Sequence, residues 1–192
     1  MYLLPNLPQI VQLEMSVGAA LAVANEVAGL IPTHRQCSVE ITNKCCKYVL
    51  SKPSVHIVSG VCAEPLPPHI GPRSSGKALF TKTPHAARGS VGVFTYDLLD
   101  QPTKKPTVKV AVMFSVPYDF NLYSNWFAVG IFNTCTECNY DLYYKMYNNT
   151  GQTFRRRKAD GKTLTHKGCD VTVMATMSNS YQPVMKVEVT DD

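Results

Sequence analysis

Hydrophobic and polar positions pass from a helical period to a strand period near residue 38 of this chain. From Pro8 to Ile31, Ile10, Leu13, Val17, Leu21, Ala24, Ala28 and Ile31 recur at steps of three and four, which is one face of a helix. Gln9, Gln12, Ser16 and Glu26 fall on another face, Pro8 suits a helix start, and Gly29 with Pro32 suits its end. A helix over 8–31 extends about 36 Å, enough to cross a hydrocarbon core of roughly 30 Å. Its carboxylates, Glu14 and Glu26, are tolerable there only if they face water. The same pattern also suits an amphipathic helix packed permanently on a β-core.

From Ser38 onward the period is two. Val39–Thr42, Val55–Val58, Val91–Tyr96, Val108–Val116, Trp126–Phe132, Val171–Met177 and Val184–Val189 read as strands separated by Pro- and Gly-rich turns. Helical spacing returns at Glu137–Asn148. Arg155–Lys158, followed by Ala159, Asp160 and Gly161, reads as a hairpin on a basic edge. Short strands at about ten-residue intervals with two helices outside predict a β-sandwich flanked by two α-helices. The predicted organisation is one domain over 1–192: a helix at 8–31 and a sandwich over 38–190, with the second helix at about 137–148.

One stretch has neither period. Tyr118, Phe120, Tyr123 and Trp126, the only tryptophan, alternate with Asp119, Asn121, Ser124 and Asn125 after the strand-breaking Pro117. These rings either fold back on the core or lie at a membrane interface, where the ring body meets lipid and its polar tip meets water.

Charge sharpens the picture. Residues 1–34 hold no Lys or Arg and two Glu, so the rest carries 19 basic and 12 acidic side chains. An acidic, apolar arm on a basic body suits an anionic or zwitterionic surface. Catalytic motifs are absent, and His34, His56, His69, His85 and His166 stand in no recognisable frame. The odd count of seven cysteines leaves at least one free or paired between chains. Cys135-x-x-Cys138 has metal or redox spacing, but the adjacent Cys45 and Cys46 are poor zinc hooks, so half-buried thiols or disulfides are the simpler reading; no metal or cofactor is expected. Met1-Tyr-Leu-Leu-Pro lacks a basic leader, so no signal peptide is recognisable. The tyrosines at 118, 123, 140, 143, 144 and 147 suit a phosphocholine group. Ring faces attract the quaternary ammonium and hydroxyls donate to the phosphate. A nucleic-acid platform would want more arginine among the rings, so no nucleic-acid partner is expected.

FSVPYDFNLYSNW at 114–126, followed by YDLYYKMY at 140–147, closely resembles the actinoporins, the pore-forming cytolysins of sea anemones. The cysteines, SVGVFTYDL at 90–98 and ATMSN at 175–179 look more like the actinoporin-like proteins of vertebrates. The resemblance runs from about Cys37 to the C-terminus. It implies a secreted or released protein, monomeric in solution, that binds membrane lipid (sphingomyelin or phosphatidylcholine) and oligomerises into a pore lined by N-terminal helices. The headgroup pocket it implies comprises Ser59, Val91, Ser115, Pro117, Tyr123, Tyr143 and Tyr144, with Tyr140 standing one place from an expected tyrosine that is Asn139 here. Tyr118, Phe120, Leu122 and Trp126 would meet the membrane, with Trp126 at the exposed tip and Leu122 replacing a second tryptophan. Arg35 would be a basic contact to membrane or oligomer. Gln12, Glu14, Ser16 and Glu26 would line the pore, and rings of Glu14 and Glu26 predict cation selectivity. The alternative is a non-lytic lipid- or glycan-binding module of the same fold.

Overall fold

A computed structural model describes residues 34–192, and the predicted helix at 8–31, with Gln12, Glu14, Ser16 and Glu26, lies outside these residues. The described chain forms strands β1 (Gln36–Asn43), β2 (Tyr48–Ser59), β3 (Val61–Glu64), β4 (His69–Ile70), β5 (Ser74–Thr81), β6 (Ser90–Asp100), β7 (Pro106–Val116) and β8 (Trp126–Phe132). Helix α1 (Tyr140–Asn148) follows, then β9 (Phe154–Lys158), β10 (Leu164–Gly168), β11 (Val171–Met177) and β12 (Val184–Asp191). Two six-stranded sheets result, ordered β10-β11-β12-β1-β5-β3 and β4-β2-β6-β7-β8-β9. This is the expected sandwich. The β1–β12 pair is parallel, and the other pairings are antiparallel.

Alternation builds the core between the sheets. Cys37, Val39 and Ile41 of β1 are buried, as are Val171, Val173, Ala175 and Met177 of β11 and Met185, Val187 and Val189 of β12. Phe80, Phe94 and Phe114 stack within this layer, with Phe80 and Phe114 centred 4.6 Å apart. The chain changes sheets between β2 and β3 at Gly60, whose φ is +101° and whose added Cβ would lie 2.3 Å from the Thr81 carbonyl oxygen. Only glycine meets both demands.

A second core lies on the outer face of the β8-bearing sheet. Leu142, Tyr143 and Met146 of α1 pack there on Val93, Ala111, Met113, Ala128, Phe132 and Phe154. Small residues at 111, 128 and 130 let the helix approach closely, and a Cβ on Gly130 would sit 2.6 Å from that of Phe154. The helix begins at Tyr140, three residues later than its spacing predicts, because Asn139 is its N-cap and accepts from the Leu142 N–H at 3.1 Å. The stretch 155–161 also corrects its sequence reading. It is no hairpin: β9 and β10 belong to different sheets, so the turn carries the chain across the sandwich.

Candidate functional site

Register lines up the predicted residues. Val91 of β6 pairs with Ser115 of β7, Ser115 with Trp126 of β8, and Trp126 with Lys158 of β9. Directly paired residues share a face, so these four side chains form one row on the outer face that carries α1. Ser59 pairs with Val91 just past a bulge in β2, and its hydroxyl donates to the Gly89 carbonyl at 3.0 Å.

The helix adds tyrosines to this face. Tyr140, Tyr143, Tyr144 and Tyr147 occupy i, i+3, i+4 and i+7, which is a single stripe. Tyr140 lies 6.0 Å from Tyr143 and 6.2 Å from Tyr144, while Tyr143 stacks on Tyr147 at 5.6 Å. His56 of β2 meets Tyr140 edge-on at 6.3 Å. Tyr143 is 8% exposed, whereas Tyr140 and Tyr144 are each half exposed. Burial, and next the neighbouring Tyr147 and Tyr140, push the Tyr143 hydroxyl up to about 12, with a Ser115 hydrogen bond opposing the shift. At neutral pH it is therefore an uncharged donor. Exposed ring faces beside a buried hydroxyl can hold a quaternary ammonium and donate to an adjacent oxyanion.

The loop between β7 and β8 has a braced stem and a bare tip. Asp119 holds the tip: its carboxylate accepts from the Asn121 and Leu122 N–H groups at 2.9 and 3.2 Å, and its carbonyl accepts from Tyr123 N–H at 3.1 Å. Leu122 is 74% and Tyr123 60% exposed. At the stem, Asn125 is buried and donates to the Ser180 carbonyl at 2.8 Å. Arg35, 6% exposed, donates from Nε to the carbonyls of Pro117 and Tyr118 at 3.2 and 3.0 Å. Its guanidinium also stacks on Tyr118 and Tyr181, at 5.3 and 4.5 Å. Phe120 folds against Tyr181, with ring centres 5.0 Å apart.

Two sequence expectations change here, and Arg35, expected as a basic contact to membrane or oligomer, is buried as a clamp on the aromatic loop. Trp126 is not the exposed tip. As the first residue of β8 it is half-buried, with Arg156 4.0 Å above its ring and Lys158 5.8 Å away. Tyr118 and Phe120 are half-buried against Arg35 and Tyr181, which leaves Leu122 and Tyr123 as the protruding large hydrophobic side chains of the loop. Sequence reasoning missed Tyr181 and His56 as neighbours of these rings, and it read Arg156 only as part of a basic edge able to touch phosphates. Alternation within the Arg155–Lys158 strand was the usable signal, since it puts 156 and 158 on one face.

All seven cysteines are free. Burial raises the Cys37 and Cys45 thiols, the latter to about 12, so both are inert. Among the described residues no group of His, Cys, Asp and Glu could hold a metal ion, and no helix is long and apolar enough to cross a membrane.

The family model for "Sea anemone cytotoxic protein" matches residues 27–190. Bryoporin of Physcomitrium patens is 27% identical over 165 residues, which is 86% of this chain and 89% of that protein. Deep-sea actinoporin Cjtox I of Cribrinopsis japonica is 32% identical over 112 residues, 56% of this chain; the match spans 45% of its own length. The solved structure of the lipid binding protein Nakanori superposes with a TM-score of 0.64 over 90% of this chain and 79% of that one. At 14% identity that likeness speaks for the fold alone.

Proposed function

The chain belongs to the sea anemone cytotoxic protein family, and we propose on that footing that it is a membrane-binding, pore-forming cytolysin that recognises phosphocholine headgroups, with sphingomyelin preferred. One juxtaposition carries this reading. The strand that leads into the loop exposing Leu122 and Tyr123 touches, at Ser115, the buried Tyr143 of the tyrosine stripe. An apolar tip can thus enter the interface while ring faces and hydroxyls meet the headgroup. In this reading Ser59, Val91, Ser115, Pro117, Tyr123, Tyr140, Tyr143 and Tyr144 form the headgroup surface.

Insertion falls to the arm at 8–31. Several copies assembled on the membrane would line a lumen with Gln12, Ser16 and rings of Glu14 and Glu26, favouring cations. The protein would act on a target-cell membrane after secretion or release. Deleting residues 1–31 tests the division of labour. It is expected to leave vesicle binding intact and abolish leakage. Lost stability with no separate loss of lysis would return the arm to a packing role and the protein to a non-lytic binding module. In planar bilayers the full chain is expected to show a cation-favouring reversal potential, weakened by Glu14→Gln with Glu26→Gln. A chloride-favouring potential would exclude the carboxylate-lined pore.

A further inference from the structure

The basic run at 155–158 divides into two kinds of cation. Arg155 donates to the carbonyls of Gly151 and Phe154 at 2.7 and 3.1 Å. Arg157 pairs with Asp160 at 2.7 Å and donates to the Thr163 carbonyl at 3.3 Å. Arg156 and Lys158 are different. Their register partners, Ala128 and Trp126, place both on the outer face with the tyrosines. The ion pairs among the described residues are Lys44–Glu188, Lys109–Asp97 and Arg157–Asp160, so neither Arg156 nor Lys158 has an acidic partner there.

Arg156 is held by stacking, 4.0 Å over Trp126 and 5.8 Å from Tyr147. Its Nε is buried with no acceptor. Stacking on an indole uses the flat face of a guanidinium and leaves its in-plane donors uncommitted. The Lys158 ammonium lies 5.8 Å from the same indole. Two cations thus share one aromatic platform without a counter-charge, at the foot of the loop whose tip exposes Leu122. A doubly hydrogen-bonding oxyanion is the group that satisfies them.

We propose that Arg156 and Lys158, beside Trp126, bind the phosphate of an anionic phospholipid. This rests on the reading that this face meets a membrane, but the site is distinct from the Tyr140, Tyr143 and Tyr144 surface given to the choline. The lipid is favoured over a free anion because the cations stand on a half-buried tryptophan next to the exposed apolar tip, where an interfacial headgroup would lie. The surface is then bipartite, taking a zwitterionic headgroup at the helix and an anionic one at β9.

The test compares flotation of the full chain on phosphatidylcholine vesicles with and without added phosphatidylglycerol. Emission from Trp126, the only tryptophan, is read in parallel. Phosphatidylglycerol is expected to raise affinity on the order of tenfold. Arg156→Gln with Lys158→Gln is expected to lose that gain and keep binding to pure phosphatidylcholine. Lys158→Gln alone, at an exposed position, is expected to lose part of it without disturbing the fold. Lys104→Gln with Lys105→Gln, which removes equal charge beyond the opposite end of β7, is expected to retain the gain. The proposal is overturned if the Arg156 and Lys158 variants keep the gain, or if the Lys104 and Lys105 control loses as much. Saturation of the emission change by sub-millimolar inorganic phosphate alone would overturn the lipid assignment. Binding only to phosphatidylglycerol vesicles would sink the choline reading and sustain this one; binding to neither vesicle would sink both.

Discussion

Arg35 donates to the backbone carbonyl of Tyr118 from two of its nitrogens, at 3.0 and 2.7 Å, across 83 residues of sequence. The same guanidinium covers the Tyr118 ring at 5.3 Å. This one side chain joins the entry to β1 to the stem of the aromatic loop.

Removing it leaves the half-buried carbonyls of Pro117 and Tyr118 without these donors. Arg35→Ala is therefore expected to destabilise the fold by about 2–4 kcal/mol. Arg35→Lys should recover only part of this, because an ammonium lacks the planar fork that meets two carbonyls and stacks on two rings. Urea denaturation reads the loss, and limited proteolysis should show new cleavage between residues 117 and 125. Unchanged stability in Arg35→Ala would contradict the clamp.

The exposed tyrosines predict the opposite profile. Tyr140→Ala with Tyr144→Ala removes half-exposed rings that carry little of the core, so stability should change by less than about 1 kcal/mol. Affinity for phosphatidylcholine vesicles should fall by about 0.5–2 kcal/mol per ring. Equal binding by the variant and the parent would remove the stripe from recognition.

Alkaline titration should separate the tyrosines. Tyr143 is raised from 10.0 to about 12 by burial, and burial raises Tyr96 as well. The folded state holds these protons more tightly than the unfolded chain does. Their stabilising contribution is therefore full below about pH 10 and is lost as pH climbs toward 12 and beyond. Absorbance at alkaline pH should show a late tyrosine phase coincident with unfolding. Tyr143→Phe should diminish that late phase. Absence of any late phase, with the fold intact, would contradict the burial of both hydroxyls.

Gly60→Ala puts a Cβ 2.3 Å from the Thr81 carbonyl oxygen at a φ of +101°. A loss of about 2 kcal/mol or more is expected from the thermal or urea midpoint. A neutral result would mean that the crossing between sheets tolerates a shift of β5.

Much of the sandwich was legible because its strands alternate. Trp126–Phe132 and Val171–Met177 have the same bounds in sequence and structure. Ser74–Thr81 escaped notice because Ser-Ser-Gly opens it with turn-like residues, and its place in the sheet comes from pairing with β1, more than thirty residues earlier. The turn at Ala159–Gly161 reads as a hairpin because Asp-Gly signals a tight turn, and such a signal does not say whether the next strand stays in the same sheet. At the site, the i, i+3, i+4, i+7 tyrosines declare themselves. The role of Arg35 does not, because its partners lie 82 and 83 residues away. Trp126 was misplaced for a similar reason: its cover, Arg156, comes from a strand thirty residues on, and only the register brings the two together.

The central claim is that this chain opens membranes through recognition on the loop and tyrosine face. Its most direct test is dye release by the full chain from phosphatidylcholine vesicles with and without sphingomyelin, with Tyr140→Ala, Tyr144→Ala as the control. The account predicts rapid release that is stronger with sphingomyelin and reduced in the control, whose fold persists. Binding without release would contradict pore formation, and release equal in parent and control would contradict recognition at the tyrosine face.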